Sequence, residues 1–244
     1  MIEYSTDLDE ALATADYIVE AVTEDLEVKR LIFKRIEELA PKDAVVTSNT
    51  SYLDVFPALS EGLKTRTFVV HWYTPPYIID LVDVVPAPNV PGALSDKLIT
   101  YLEALGKKPV RLKKFIPGYI ANRVQMAIES EIFHLLDAGI AEAAEIDESI
   151  REGLAMRLAL FGQFKKIDYT GVKIVCDSHK LGAYVPPVPP TGSKALDKMV
   201  EDGHEGVSHG RGFYDYEGQS PIELFHERDM NLMAVKRALK PLKK

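Results

Sequence analysis

Between residues 16 and 113 the chain alternates short β-branched runs with amphipathic stretches, and this alternation constrains its fold more than any other feature. DYIVEAV (16–22), AVVTSN (44–49), TFVVHWY (67–73), IDLVDVVPA (79–87) and KPVRLK (108–113) have the length and β-branched content of strands. EDLEVKRLIFKRIEELA (24–40) places Leu26, Leu31, Ile32, Ile36 and Leu39 at roughly helical spacing, and Pro41 ends it. GALSDKLITYLEALG (92–106) reads as a helix closed by Gly106, and TSYLDVFPALS (50–60) as a short helix interrupted by Pro57. Strands and helices in turn specify a doubly wound α/β sheet.

Beyond residue 114 the alternation stops. PGYIANRVQMAIESEIFHLLDAGIA (117–141) reads as one long helix with an apolar stripe of Ile120, Val124, Ile128, Ile132, Leu135 and Leu136. Further helical segments fall near 145–160, 166–178, 194–202 and 221–239, while the proline-rich VPPVPPTG (185–192) reads as a loop and GRGFYDYEG (210–218) as extended chain. No strands alternate here, so a second, all-α domain is expected from residue 115 to 244, following an α/β domain over 1–114.

Composition narrows the function classes. With 244 residues, 46% of them hydrophobic, the chain can build a sizeable core, which excludes wholesale disorder. A net charge of −8 argues against a general nucleic-acid binder, though not against a local site for a small anion. Cys176 is the only cysteine, so an intrachain disulfide and a cysteine-rich metal site are excluded and a cytoplasmic location is expected. No apolar run has the length of a membrane span, and the acidic opening MIEYSTDLDE does not resemble a signal peptide.

His71 ends the third β-branched run, and Asp83 lies 12 residues further on, in the next run. The intervening TPPY supplies a turn, so neighbouring strands can bring the two together. Imidazole, with an ordinary pKa of about 6.5, suits the role of a general base. A carboxylate on its other ring nitrogen fixes the tautomer and stabilises the imidazolium. Ser51 and Asn122 can donate hydrogen bonds to the reacting oxygen. Each residue alone also has a plainer reading. A histidine ending a strand is more often structural, and Asp83 can be a solvated strand residue. Thr50 and Ser51 can cap a helix, Asn122 can bond a loop carbonyl, and Arg123 can form a surface ion pair. His134, His179, His204, His209 and His226 have no partner pattern and read as structural or solvated.

Taken in order, VEAVTEDLEVKRLIFKRI, SNTSYL, HWYTPP with LVDVV, PGYIANR and GRGFYDY resemble the 3-hydroxyacyl-CoA dehydrogenases over nearly the whole chain. EGLAMRLALFGQFKKID and TPPYIIDLVDVVPAP are similar to the branch that holds the λ-crystallins and L-gulonate 3-dehydrogenases. The resemblance implies an NAD-dependent oxidoreductase with an α/β partial Rossmann-type sheet followed by an all-α C-terminal domain for substrate binding and dimerisation. It implies that His71 is the catalytic base, that Asp83 orients it, and that Ser51 and Asn122 contact substrate. Glu24 and Lys29 would touch the nicotinamide side of the cofactor, although, five apart on one helix, the two read equally well as plain surface charges. The substrate would be a small hydroxyacyl-CoA or, as in the gulonate enzymes, a free hydroxy acid. A homodimer through residues 117–160 and neighbouring helices is expected, with the active site in the cleft between the domains.

Three departures accompany the resemblance. No GxGxxG turn occurs anywhere in the chain, so the phosphate-cradling half of the cofactor domain is expected as a separate or missing N-terminal partner that adds strands to an open sheet edge. Asp83 also stands where the family commonly has glutamate, and HWYTP where HFFNP is usual, so that Thr74 replaces an asparagine. The rival expectation is a non-catalytic dimeric fragment or scaffold.

Overall fold

Five strands form one sheet in chain order: β1 (Tyr17–Glu20), β2 (Val45–Ser48), β3 (Thr67–Trp72), β4 (Leu81–Pro86) and β5 (Lys108–Arg111). The computed structural model describes residues 3–187 and 192–242. β1, β2 and β3 run parallel, β4 is antiparallel to β3, and β5 is parallel to β4. The chain divides into two compact units, Met1–Val124 and Gln125–Lys244.

In the first unit, the pleat sends alternate side chains to opposite faces of the sheet. Val69 and Val85 join one core with Phe33, Ile36 and Leu63, while Phe68, Val70, Val82 and Val84 join a second with Leu98 and Leu102. Fully burying each of these side chains contributes about 1.5–3 kcal/mol. The helices that cover the faces are α2 (Leu26–Leu39) and α3 (Gly92–Ala104), and a short α1 (Leu8–Ala13) precedes them. The Asp7 carboxylate caps α1 by accepting from the backbone N–H groups of Asp9 and Glu10. The sequence reading took this segment only as an acidic N-terminus.

The inward face of α2 differs from the expected stripe. Lys29, Phe33 and Ile36 are buried, whereas Leu31 is 66% exposed. Leu31 and Phe33 are two residues apart, which puts them on nearly opposite sides of a helix. Lys29 is only 1% exposed, and its ammonium donates to Glu20 Oε1 at 2.7 Å and to the Val22 carbonyl at 3.3 Å. Glu20, itself 3% exposed at the end of β1, also accepts from the Ser48 hydroxyl at 2.5 Å and the Val22 N–H at 2.9 Å. One buried ion pair thus ties α2 to the ends of β1 and β2.

Two expected helices are shorter than the sequence suggested. Over 50–60 only Phe56–Ala58 forms a 3-10 turn, because the Asp54 carboxylate takes the Phe56 N–H and the N–H groups of residues 51–53 face Glu24. The long helix α4 spans Ala121–Asp137 and starts four residues later than expected. Gly118 (φ 77°) and Tyr119 (φ 51°) are left-handed, which no right-handed helix accommodates. A side chain at Gly118 would also press on Arg123 and Tyr52, each 3.3 Å from the added carbon. The bend drops the Tyr119 ring, 0% exposed, into the first core along with Phe115 and Ile116. This segment, assigned by sequence to the helical half, thereby packs with the sheet.

The second unit holds most of α4, then α5 (Ala143–Ile150), a π-helical turn (Arg151–Ala155), α6 (Met156–Thr170), α7 (Val172–Leu181), α8 (Lys194–Glu201) and α9 (Pro221–Leu239). Of the proline-rich stretch 185–192, residues 188–191 lie outside the described residues. The GRGFYDY segment packs on the helices, as a packing element should. Phe213 meets the Phe133 ring with centroids 6.1 Å apart, and the Tyr214 hydroxyl donates to Asp147 at 2.7 Å. A cavity of about 560 Å³ lies beside it, lined by apolar side chains including Ile132, Ile146, Leu196 and Val200. No helix among the described residues is long and apolar enough to cross a membrane.

Removing one member of the Glu20–Lys29 pair strands a charge in the interior. Lys29→Met should lower the unfolding free energy of the first unit by about 3–5 kcal/mol, and adding Glu20→Gln should recover part of that loss. Urea unfolding of the wild type and the two variants checks this. An unchanged midpoint for Lys29→Met would mean that the pair does not hold α2.

Candidate active site

Four consecutive residues, starting with the last of β2, each tie down a different element. Ser48 donates to Glu20 on β1, and Asn49 Oδ1 accepts from the Trp72 N–H at 3.0 Å, fixing the end of β3. The Thr50 hydroxyl donates to Glu24 Oε1 at 2.7 Å, and its carbonyl accepts from the buried Tyr119 hydroxyl at 2.5 Å. Ser51 Oγ lies 3.2 Å from His71 Nε2. The loop can make these contacts because Glu24 Oε1 also gathers the N–H groups of Ser51 at 2.9 Å and Tyr52 at 3.0 Å. Burial pushes the Glu24 carboxyl up. The bonds from Thr50, Tyr52 and Ser51, together with the nearby Lys29 charge, outweigh burial and hold it below the usual glutamate range.

His71 and Asp83 are direct cross-strand partners on β3 and β4, so their side chains share one sheet face. Both are buried, at 5% and 1% exposure. The carboxylate is not bonded to the imidazole, however. Asp83 Oδ2 accepts from the Tyr73 hydroxyl at 2.5 Å, and His71 Nδ1 makes no hydrogen bond among the described residues. Two phenol rings enclose the imidazole. Tyr73 meets it edge-on with centroids 4.6 Å apart, and Tyr119 lies across it at 4.9 Å.

Burial sets the charges in this cluster. It pushes His71 below the ordinary imidazole pKa, against the pull of the Glu24 charge. It pushes the Asp83 carboxyl up, opposed by the Tyr73 hydrogen bond, and it drives the Tyr73 phenol far above its usual range, with help from Asp83. At neutral pH the imidazole is therefore uncharged, which a base requires.

The other expected residues are placed as follows. Asn122 lies in the first turn of α4 and within the first compact unit, and its backbone N–H is directed at the Tyr73 hydroxyl. Glu24 and Lys29 sit beside the loop that carries Ser51, but their charged groups are engaged within the chain, Lys29 with Glu20 and Glu24 with the 50–52 backbone. Sequence reasoning missed Glu20, Tyr73 and Tyr119. An acidic residue closing the apolar run DYIVE was a signal for the first, and a tyrosine two positions after His71, on the same face, was a signal for the second. Nothing in the spacing pointed to Tyr119, whose left-handed backbone carries it inward.

A nicotinamide dinucleotide needs a strand-end crevice for its nicotinamide and a cradle for its pyrophosphate. The loops after β1 and β2 lie at the carboxyl ends of parallel strands, where such cofactors bind in open α/β sheets. They can face the nicotinamide side. The glycine-rich turn that cradles a pyrophosphate is absent from this sequence. No cluster of metal-ligating side chains occurs among the described residues.

Known proteins place this arrangement in a family. Residues 1–115 match the 3-hydroxyacyl-CoA dehydrogenase NAD binding domain, and residues 118–216 match the 3-hydroxyacyl-CoA dehydrogenase C-terminal domain. The mitochondrial hydroxyacyl-coenzyme A dehydrogenase of Homo sapiens is 31% identical over 220 residues, covering 88% of this chain and 68% of that protein. The lambda-crystallin of Oryctolagus cuniculus is 34% identical over 187 residues, covering 75% of this chain and 58% of the crystallin. The fold is shared with the crystal structure of 5-formyl-3-hydroxy-2-methylpyridine 4-carboxylic acid 5-dehydrogenase, at a TM-score of 0.89 and 24% identity, with 98% of this chain and 78% of that one covered. With both domains of the family matched in order along the chain and a curated relative 31% identical over most of its length, this chain belongs to the NAD-dependent 3-hydroxyacyl-CoA dehydrogenase family.

Proposed function

We propose that His71 is the general base in the NAD-dependent oxidation of a secondary alcohol carried by a 3-hydroxyacyl thioester or a related hydroxy acid. The observation that carries this reading is the neutral, buried imidazole whose Nε2 faces the Ser51 hydroxyl. For Nε2 to accept a proton, the ring hydrogen must reside on Nδ1, opposite Asp83 on the paired strand. Ser51 and Asn122 hold the substrate oxygen, Ser51 from the Glu24-anchored loop and Asn122 from the start of α4. Bound NAD supplies the hydride acceptor. Glu24 and Lys29 support the nicotinamide side by shaping that loop. The remaining cofactor site comes from a GxGxxG-bearing half, on the same or a separate polypeptide, that adds to the exposed edge of β1, where Val19 is 48% exposed.

The proposal also includes a homodimer through the helical unit. Phe164 is 87% exposed, and Tyr169, Val172 and Ile174 on α6 and α7 are likewise exposed, an apolar surface that a second copy would bury.

Three measurements test this reading. Calorimetry should detect NAD binding only when a glycine-rich half is supplied, and tight binding by the present chain alone would overturn that part. In the reconstituted enzyme, His71→Ala should lower kcat by about 10²–10⁴-fold with little change in KM. Equal turnover of the wild type and His71→Ala, with 3-hydroxybutyryl-CoA and with L-gulonate, would leave a non-catalytic scaffold as the better account. Light scattering should give twice the chain mass, and Phe164→Glu should shift it to the monomer. A monomeric wild type would remove the dimer.

A further inference from the structure

The Asp83 carboxylate faces two partners and is bonded to one of them. Its Oδ2 takes the Tyr73 hydroxyl at 2.5 Å, while His71, directly opposite on β3, keeps a buried Nδ1 without a hydrogen bond among the described residues. A buried ring nitrogen left unbonded costs about 1–3 kcal/mol, so an arrangement that leaves it so beside a carboxylate calls for a cause. Aspartate is short, and the phenol already occupies it. We propose that Tyr73 is a positioning residue that competes with His71 for Asp83, so that the resting imidazole lacks its carboxylate partner and is a weaker base than a bonded pair would make it.

The groups around His71 allow this competition to be read cleanly. From the β1–α2 segment it sees the Glu24 charge, from β4 Asp83, from the end of β3 Tyr73, and from the turn before α4 Tyr119. Ser51 is its neutral neighbour on Nε2. Of these, only Asp83 is held by a group that a single-atom change removes. Tyr73→Phe deletes the hydroxyl and keeps the ring that packs edge-on against the imidazole. The freed carboxylate then has Nδ1–H as the donor across the strand, and a charge-assisted bond to it favours the protonated ring.

This inference rests on the reading of His71 as the base, but its test does not need turnover. The Cε1–H resonance of His71 is titrated by NMR in the purified chain and identified among the six histidines by its loss in His71→Gln. In Tyr73→Phe the midpoint should rise by about one unit, a tenfold gain in proton affinity, and Tyr73→Phe/Asp83→Asn should abolish the rise. Asp83→Asn alone should lower the midpoint much less than the same change lowers it in the Tyr73→Phe background. An unchanged or lowered midpoint in Tyr73→Phe would overturn the competition. So would a fall of about one unit in Asp83→Asn alone, because Asp83 would then already be bonded to His71. That single-variant measurement does not need Tyr73→Phe to fold and rejects the idea by itself. A reconstituted enzyme indifferent to His71→Ala, combined with the expected titration shifts, would reject the catalytic reading and leave this pairing intact.

Discussion

The Glu24 carboxylate is the interaction on which the site depends. Ser51 and Tyr52 would otherwise present unpaired N–H donors beside a buried strand end. One oxygen of Glu24 collects the Thr50 hydroxyl and the N–H groups of Ser51 and Tyr52, giving that stretch the kind of anchor a capping residue gives a helix. Its other oxygen lies 3.5 Å from the Lys29 ammonium, which is itself locked to Glu20. The chain of contacts from Lys29 through Glu24 to Ser51 therefore carries the position of α2 to the atom nearest His71 Nε2. A hydroxyl on an unanchored loop would have lost that geometry to conformational entropy.

The same chain explains why the charges settle as they do. Glu20, Lys29 and Glu24 form a net negative cluster near the ring, which by Coulomb attraction alone would raise the basicity of His71. Burial wins instead, because the imidazole is enclosed by Tyr73, Tyr119 and the sheet, and it outweighs the opposing pull of the Glu24 charge. The outcome is an uncharged imidazole in an interior that already holds its anions in place.

How much of this was legible in the sequence can be argued residue by residue. The five strands were readable because β-branched runs of strand length are bounded by Pro, Gly and polar residues, and α3 and α9 because helical period and end signals agree. The run–turn–run spacing suggested that His71 and Asp83 could meet, and the register makes them cross-strand neighbours, but Asp83 is bonded to Tyr73 and not to the imidazole. The start of α4 was not legible. PGYIAN has helical composition, and only the packing of the Tyr119 ring and its bond to the Thr50 carbonyl favour the left-handed turn at residues 118 and 119. Lys29 was misleading for a related reason. A lysine on an amphipathic helix reads as solvated, and its burial follows from Glu20, an acid inside a strand that looked wholly apolar. Periodicity reports which face is buried, but not which buried polar atoms find each other.

The substitution of aspartate where glutamate is usual takes on meaning in this setting. One methylene fewer withdraws the carboxylate from the ring opposite, and HWYTP in place of HFFNP puts a phenol, Tyr73, where it can fill the resulting gap. A carboxylate shared in this way is still oriented and still close when the proposed reaction places a proton on Nε2. At that moment Nδ1–H becomes the stronger donor, because the ring has gained a positive charge and the phenol has not. A partner held nearby and engaged only as charge develops favours the transition state over the resting state, which is the condition for accelerating a proton transfer rather than merely binding more tightly.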